Sequence, residues 1–175
     1  MKKVLFLFGE LNDTDVDWLV SCGHPEHVSA SATLIQEGQQ IDAVYIVLEG
    51  SLEVTVGGPD QAITVVGPGE VLGEMSFLDS RPASTSIRAR TESSVFRLPR
   101  AALEVQLASD PGFAARFYRS MCLFLSHRLR RMTLQTSAQD AAPANSADEL
   151  DPKVLDGVHL AGKRFQRLIR HTSGS

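Results

Sequence analysis

Between Val28 and Leu98 the apolar residues come in short runs, AVYIVLEG, SLEVTV, AITVVG, SIRAR and SSVFRLP, punctuated by Gly, Pro and Asp. Many short strands at regular spacing predict an antiparallel barrel or jelly roll. The Gly57-Gly58-Pro59-Asp60 stretch between two of these runs reads as a hairpin connection in which the residues serve only the turn. Gly67 to Ala89 (GPGEVLGEMSFLDSRPASTSIRA) departs from the strand rhythm. It predicts a strand, a tight turn at Pro68 and Gly69, a buried step at Val71 and Leu72, one short helical turn from Glu74 to Phe77, a loop and another strand.

Outside the strands the apolar spacing turns helical. Asp13 to Cys22 places Val16, Leu19 and Val20 on one face with Trp18 beside it, opened by a cap at Asn12 or Asp13 and closed at Gly23. Pro99 starts a helix to about Ser109, and Asp110-Pro111 repeats the signal for a longer helix to about Leu134. The apolar residues of the longer helix form two rows. Phe113, Phe117 and Phe124 make one, and Tyr118, Met121, Cys122, Leu125, Leu129 and Met132 the other. That stripe is wider than one contact requires, so a second surface is expected, most simply the same helix of another subunit about a two-fold axis. Residues 136–149 (TSAQDAAPANSADE) read as a flexible linker. Residues 150–175 are an amphipathic tail with Leu155, Val158, Phe165, Leu168 and Ile169 at near-helical spacing. Gly157 and Gly162 each weaken that helix by about 1 kcal/mol, so it is expected to form only when docked. The domain assignment is therefore 1–135 for the body, 136–149 for the linker and 150–175 for the tail.

Composition narrows the class. The chain has 175 residues, 43% hydrophobic and 22% charged, enough for one domain with extensions. No apolar run reaches the roughly 20 residues of a membrane span, so a soluble protein with no membrane partner is expected. The opening MKKVLFLF is too short in its apolar part for a signal peptide, and reads as a strand or helix seated on the core. Cys22 and Cys122 sit in unlike contexts and form no disulfide framework, which favours a reducing cytoplasm. Charge is uneven, since residues 1–112 carry 7 Lys or Arg against 16 Asp or Glu, and residues 113–175 carry 10 against 5. An acidic body with a basic tail reads as intramolecular complementarity.

Few motifs point to chemistry. Cys22, His24 and His27 are zinc-ligand types, but no fourth ligand follows at a recognisable spacing and Pro25 sets a turn there. Arg116, Arg119, Arg128, Arg130 and Arg131 line the long helix without an intervening acid, yet no aromatic interleaves them, and a solvated face pairing with the acidic body is the simpler reading. No nucleophile elbow, phosphate loop or metal cluster is present, and Glu74 is a lone carboxylate, so no enzyme is expected.

The segment from Gly73 to Ile87, with its G-E-hydrophobic-small-hydrophobic start, loop proline, small residues and apolar strand, resembles the phosphate-binding cassette of cyclic-nucleotide-binding domains. Thr33 to Val56 (TLIQEGQQIDAVYIVLEGSLEVTV) looks like the same family's strand and turn series, with Gly38 and Gly50 at its turn glycines. The likeness covers about residues 12–132. It implies a mainly β fold with flanking helices, an antiparallel double-stranded β-roll. It also implies a ligand site at Leu72, Gly73, Glu74, Met75, Ser76, Ala83, Ser84 and Thr85, with Gly73 and Glu74 holding the ribose and Ser84 and Thr85 near the cyclic phosphate. The family's phosphate-binding arginine is replaced by Ala83. Charge-assisted contacts contribute about 1.5–3 kcal/mol each, so cAMP or cGMP is expected to bind weakly. Arg81 lies on the far side of Pro82, and Arg88 alternates with the inward Ile87.

These features imply a regulatory module that relays the state of its pocket through residues 111–134 to a dimer mate or a partner protein. The alternative is a ligand-independent adaptor using residues 150–171. The segment after Gln135 is too short for a linker and the two packed helices of a helix-turn-helix, so DNA is not an expected partner.

Overall fold

The apolar runs fold as eight strands in two four-stranded antiparallel sheets, β1 (His24–Val28), β2 (Thr33–Ile35), β3 (Ala43–Glu49), β4 (Leu52–Thr55), β5 (Ala62–Val66), β6 (Val71–Leu72), β7 (Ser86–Ala89) and β8 (Ser93–Pro99). The structure is a computed structural model that describes residues 3–58, 62–137 and 152–172, with side chains at all of these except 3, 5, 131–137, 152–159, 171 and 172. Pro59 and Asp60 of the hairpin connection lie outside the described residues, as do residues 138–149 of the expected linker, whereas Thr136 and Ser137 at its start are helical. One sheet runs β1-β8-β3-β6 and the other β2-β7-β4-β5. This is the jelly roll that the strand spacing predicts.

β3 shows how the two layers share one strand. Alternate side chains point to opposite faces. Ala43, Tyr45 and Val47 enter the interior of the roll, while Val44, Ile46 and Leu48 enter a second core beneath the helices. A strand buried on both faces reads as the continuous apolar run AVYIVL. The turn between β3 and β4 needs a residue at φ +84°, and a Cβ on Gly50 would lie 2.5 Å from the Glu92 carbonyl oxygen, so glycine is required there.

Six helices complete the described chain: α1 (Lys3–Glu10), α2 (Asp13–Cys22), α3 (Glu74–Asp79), α4 (Arg100–Ser109), α5 (Pro111–Ser137) and α6 (Pro152–Thr172). The N-terminal segment, which the sequence leaves open between strand and helix, is a helix. Val4, Leu7, Phe8 and Leu11 bury one face at i, i+3, i+4 and i+7. α2 opens on a capping box, in which the Asn12 side chain accepts from the Asp15 amide and the Asp15 carboxylate accepts from the Asn12 amide, both at 2.8 Å. Pro99 is the N-cap of α4 and not its first helical residue.

α5 buries Phe113, Phe117, Met121 and Phe124, a stripe at i, i+4, i+8 and i+11. Met121 thus belongs to the inner row, a correction to the two-row division. Tyr118 and Leu129 are 45% and 66% exposed, and Cys122 is exposed beside them. Met132 and Arg131 lie outside the described side chains. α6 docks on α1 and α2 of its own chain, burying Ala161 and Leu168 completely.

Candidate functional site

β6 ends at Leu72 and the chain turns at Gly73, whose φ of +81° suits glycine and whose missing Cβ leaves room only 3.0 Å from the Ala43 carbonyl oxygen. Gly73 caps α3, accepting the Phe77 amide at 3.0 Å. The amides at the start of α3 have no partner within the helix, a general property of helix N-termini. Glu74 and Ser76 are buried at 5% exposure each, and Met75 is exposed at the mouth.

The loop returns through an exposed Arg81, whose backbone amide is accepted by Asp79, and is then pinned at Ala83. The Ala83 amide donates to the Gln39 carbonyl at 2.9 Å, and the Ala83 carbonyl accepts from the Gly38 amide at 2.8 Å. Those two bonds hold the Ala83 methyl group buried in the inner core. Leu72, Gly73, Glu74, Met75, Ser76, Ala83, Ser84 and Thr85 line one cavity of about 130 Å³. Its other walls include the apolar Ile35, Ile41, Val54 and Ile87 and the polar Thr64.

One further residue lines this cavity that sequence reasoning assigned to a solvated face. Arg128, more than forty positions beyond the cassette on α5, brings Nη1 within 3.6 Å of Glu74 Oε1 and 3.5 Å of Met75 Sδ. A cation on α5 therefore faces the Glu74 carboxylate. No local spacing signals it. Its only sequence trace is its membership of an arginine-rich helix with no acid to pair with nearby.

Arg100 is a second residue the sequence did not single out. Standing at the start of α4, it donates to the Ser76 carbonyl at 3.0 Å and to Ser80 Oγ at 2.9 Å, and its guanidinium lies 5.4 Å from the Phe77 ring centroid. It holds α3 by its C-terminal end and ties the cassette to the helix that leads into α5. Arg88 faces outward, donating from Nε to the Ser31 carbonyl at 2.8 Å. Arg116 makes a bidentate pair with the buried Asp15 at 2.6 and 2.8 Å, and Arg119 pairs with Glu10 at 2.8 Å. Burial alone would raise the Asp15 pKa, but the Arg116 guanidinium and the Asn12 amide outweigh it and hold the carboxyl below its ordinary value. The basic face of α5 is thus partly neutralised by the acidic body.

Two larger, more open depressions lie elsewhere. One is bordered by Arg97 and Arg100, which are engaged with Asp42 at 2.6 Å and Glu104 at 2.7 Å, and the other by Glu37, Glu53 and Arg88. Among the described residues no three His, Cys, Asp or Glu side chains gather as metal ligands. His27 pairs with Glu92 at 2.9 Å, and burial pushes the Cys22 thiol up to about 11, so it carries little thiolate at neutral pH. No helix among the described residues is long and apolar enough to cross a membrane.

Comparison with known proteins converges on the roll that carries this cavity. The family model described as the cyclic nucleotide-binding domain matches residues 25–110. The CRP-like cAMP-activated global transcriptional regulator of Mycobacterium tuberculosis is 30% identical over 102 residues, covering 57% of this chain and 44% of that protein. The potassium channel AKT2 of Oryza sativa is 27% identical over 152 residues, covering 85% of this chain and 17% of the channel. The chain thus spans less than half the length of either relative. The crystal structure of a cyclic nucleotide-binding domain from Methylobacillus flagellatus superposes with a TM-score of 0.69 at 24% identity, covering 81% of this chain and 84% of that one, which establishes the shared fold. With the family model spanning every strand of the roll from β2 to β8, residues 25–110 of this chain belong to the cyclic nucleotide-binding domain family.

Proposed function

We propose that the chain is a non-catalytic regulatory module, in which the state of the Glu74 pocket is relayed through α5 to a second copy or a partner protein. The observation that carries the reading is the 3.6 Å pair between Glu74 of the cassette and Arg128 of α5. A ligand that engages Glu74 must compete with Arg128 or recruit it, and either choice alters what holds α5 against the roll. The ligand's leverage equals its difference in affinity for the two arrangements of the helix. Members of the family serve as regulatory domains of larger proteins, such as the cAMP-activated regulator above.

cAMP and cGMP are the first ligands to test. Ala83 removes the usual phosphate cation, so the native chain binds them weakly. Arg128 stands 3.6 Å from Glu74, the residue that the resemblance assigns to the ribose. Thermal unfolding with each nucleotide at millimolar concentration measures the effect, because saturation at 100 times Kd stabilises by about 2.7 kcal/mol. The Ala83→Arg variant restores a charge-assisted contact and tightens binding by about tenfold to more than a hundredfold. A midpoint unmoved by either nucleotide in both proteins rejects cyclic-nucleotide sensing.

Ala83 also favours a second reading, a ligand-independent adaptor. Such an adaptor captures a protein partner with the pocket empty, and removal of the tail after residue 135 abolishes that capture. We assign both readings to a reducing cytoplasm, in keeping with the free Cys22 and Cys122.

A further inference from the structure

α1 and α6 lie outside residues 25–110, yet α1 packs against both α5 and α6. Its first turn is tied to the turn before the cassette, since the Val4 amide donates to the Gly69 carbonyl at 2.8 Å just ahead of β6 and Gly73. Its middle meets α5, where the Phe6 ring lies 5.3 Å from the His127 ring, the residue before Arg128. Its last turn meets α6. Phe8 packs 6.4 Å from Phe165, and the Phe8 and Leu11 carbonyls accept from Arg164 Nη1.

Arg164 is the centre of that docking. Its side chain is 11% exposed, it satisfies carbonyls that a helix C-terminus leaves without intrahelical donors, and its Nε pairs with Asp13 at 2.8 Å. Arg167, three positions further along the helix, pairs with Asp17 at 2.7 Å. Ala161 and Leu168 fill the apolar seat between them. A displacement of α1 takes the carbonyl acceptors and Phe8 away together, leaving a desolvated guanidinium with one partner. α6 cannot then stay seated, and Gly157 and Gly162 leave it weak once it is free.

We propose that the pocket and the docking of α6 are coupled through α1, so that seating or release of α6 is the output of the domain. The inference rests on the pocket being a regulatory site, but its test contains no ligand and fails separately from that reading. Coupling is reciprocal, so a disturbance at either end must be felt at the other.

Hydrogen exchange on the full chain checks both directions. Arg128→Ala disturbs the pocket end, and Arg164→Ala with Arg167→Ala disturbs the docking end. Arg128→Ala is expected to change exchange of the α6 amides at 160–170 by about fivefold or more, and the double variant to change the cassette amides at 74–77 by a similar factor. Arg128→Lys, which keeps a cation at the pocket, returns α6 exchange toward the wild-type rate. Urea midpoints are measured on every variant to separate local opening from global loss. Effects confined to the altered end overturn the proposal, as does an α6 change fully explained by a lowered global midpoint.

Discussion

Gly73 is the residue on which the cavity's shape depends most directly. It needs a left-handed backbone, and any Cβ there sits against the Ala43 carbonyl. Gly73→Ala should therefore cost about 1–3 kcal/mol, read from urea unfolding, and should also narrow the approach to Glu74. A variant as stable as wild type would show that the turn relaxes and that the close approach is not built into it. Ala83 is the opposite case. Its methyl group is buried among Ile35, Leu72 and Ile87, and its backbone is bonded on both sides to the Gly38–Gln39 turn, so the cassette loop keeps its course without the arginine. The cation that does reach the pocket, Arg128, serves Glu74 and sits on another element.

Elements are fastened to one another chiefly by arginine. Arg116 joins α5 to α2 through Asp15, which also completes the capping box of its own helix. Truncating Arg116 to alanine leaves a buried carboxylate without its main partner, a loss of about 3 kcal/mol at pH 7. The sign of the pH dependence follows from the direction of the shift. Asp15 has a folded pKa below its unfolded value, so its contribution is fully present above the unfolded value of about 4 and is lost as pH falls through the folded one. Urea unfolding of wild type and Arg116→Ala across pH 7 to 2 should show the gap between them closing below about pH 4. A gap that is constant with pH would mean that packing of the arginine stem, not its charge, accounts for the loss.

At the scale of the whole molecule, the uneven charge of the chain becomes a set of internal fastenings. Arg116–Asp15, Arg119–Glu10, Arg164–Asp13 and Arg167–Asp17 each join the basic C-terminal third to the acidic N-terminal helices. The intramolecular reading of the charge pattern accounts for them. What the fold leaves outward on α5 is the stripe of Tyr118, Cys122, Leu125 and Leu129, which is the surface proposed for a second copy. Tyr118→Arg places a charge in that stripe and gives up only the edge contact of Tyr118 with the Phe117 ring at 5.9 Å, and sedimentation should show a dimer for wild type and a monomer for the variant. Equal sedimentation of the two proteins, whether as monomers or dimers, would remove α5 from the interface.

Local order along the chain was enough to determine the strands, the capped start of α2, the glycine turn at Gly73 and the cassette that follows it. Each of these depends on neighbours within a few positions, where backbone sterics and period-two or period-3.6 burial leave their mark on residue type. Tertiary structure alone decided the rest. It made Lys3 to Glu10 a helix by presenting a surface for one face. It also brought Arg128 to Glu74 and seated α6 on α1 and α2. Such meetings join residues far apart in sequence, and a long cationic side chain reads the same whether it ends in water or against a buried carboxylate. Only the packing of complete elements distinguishes the two.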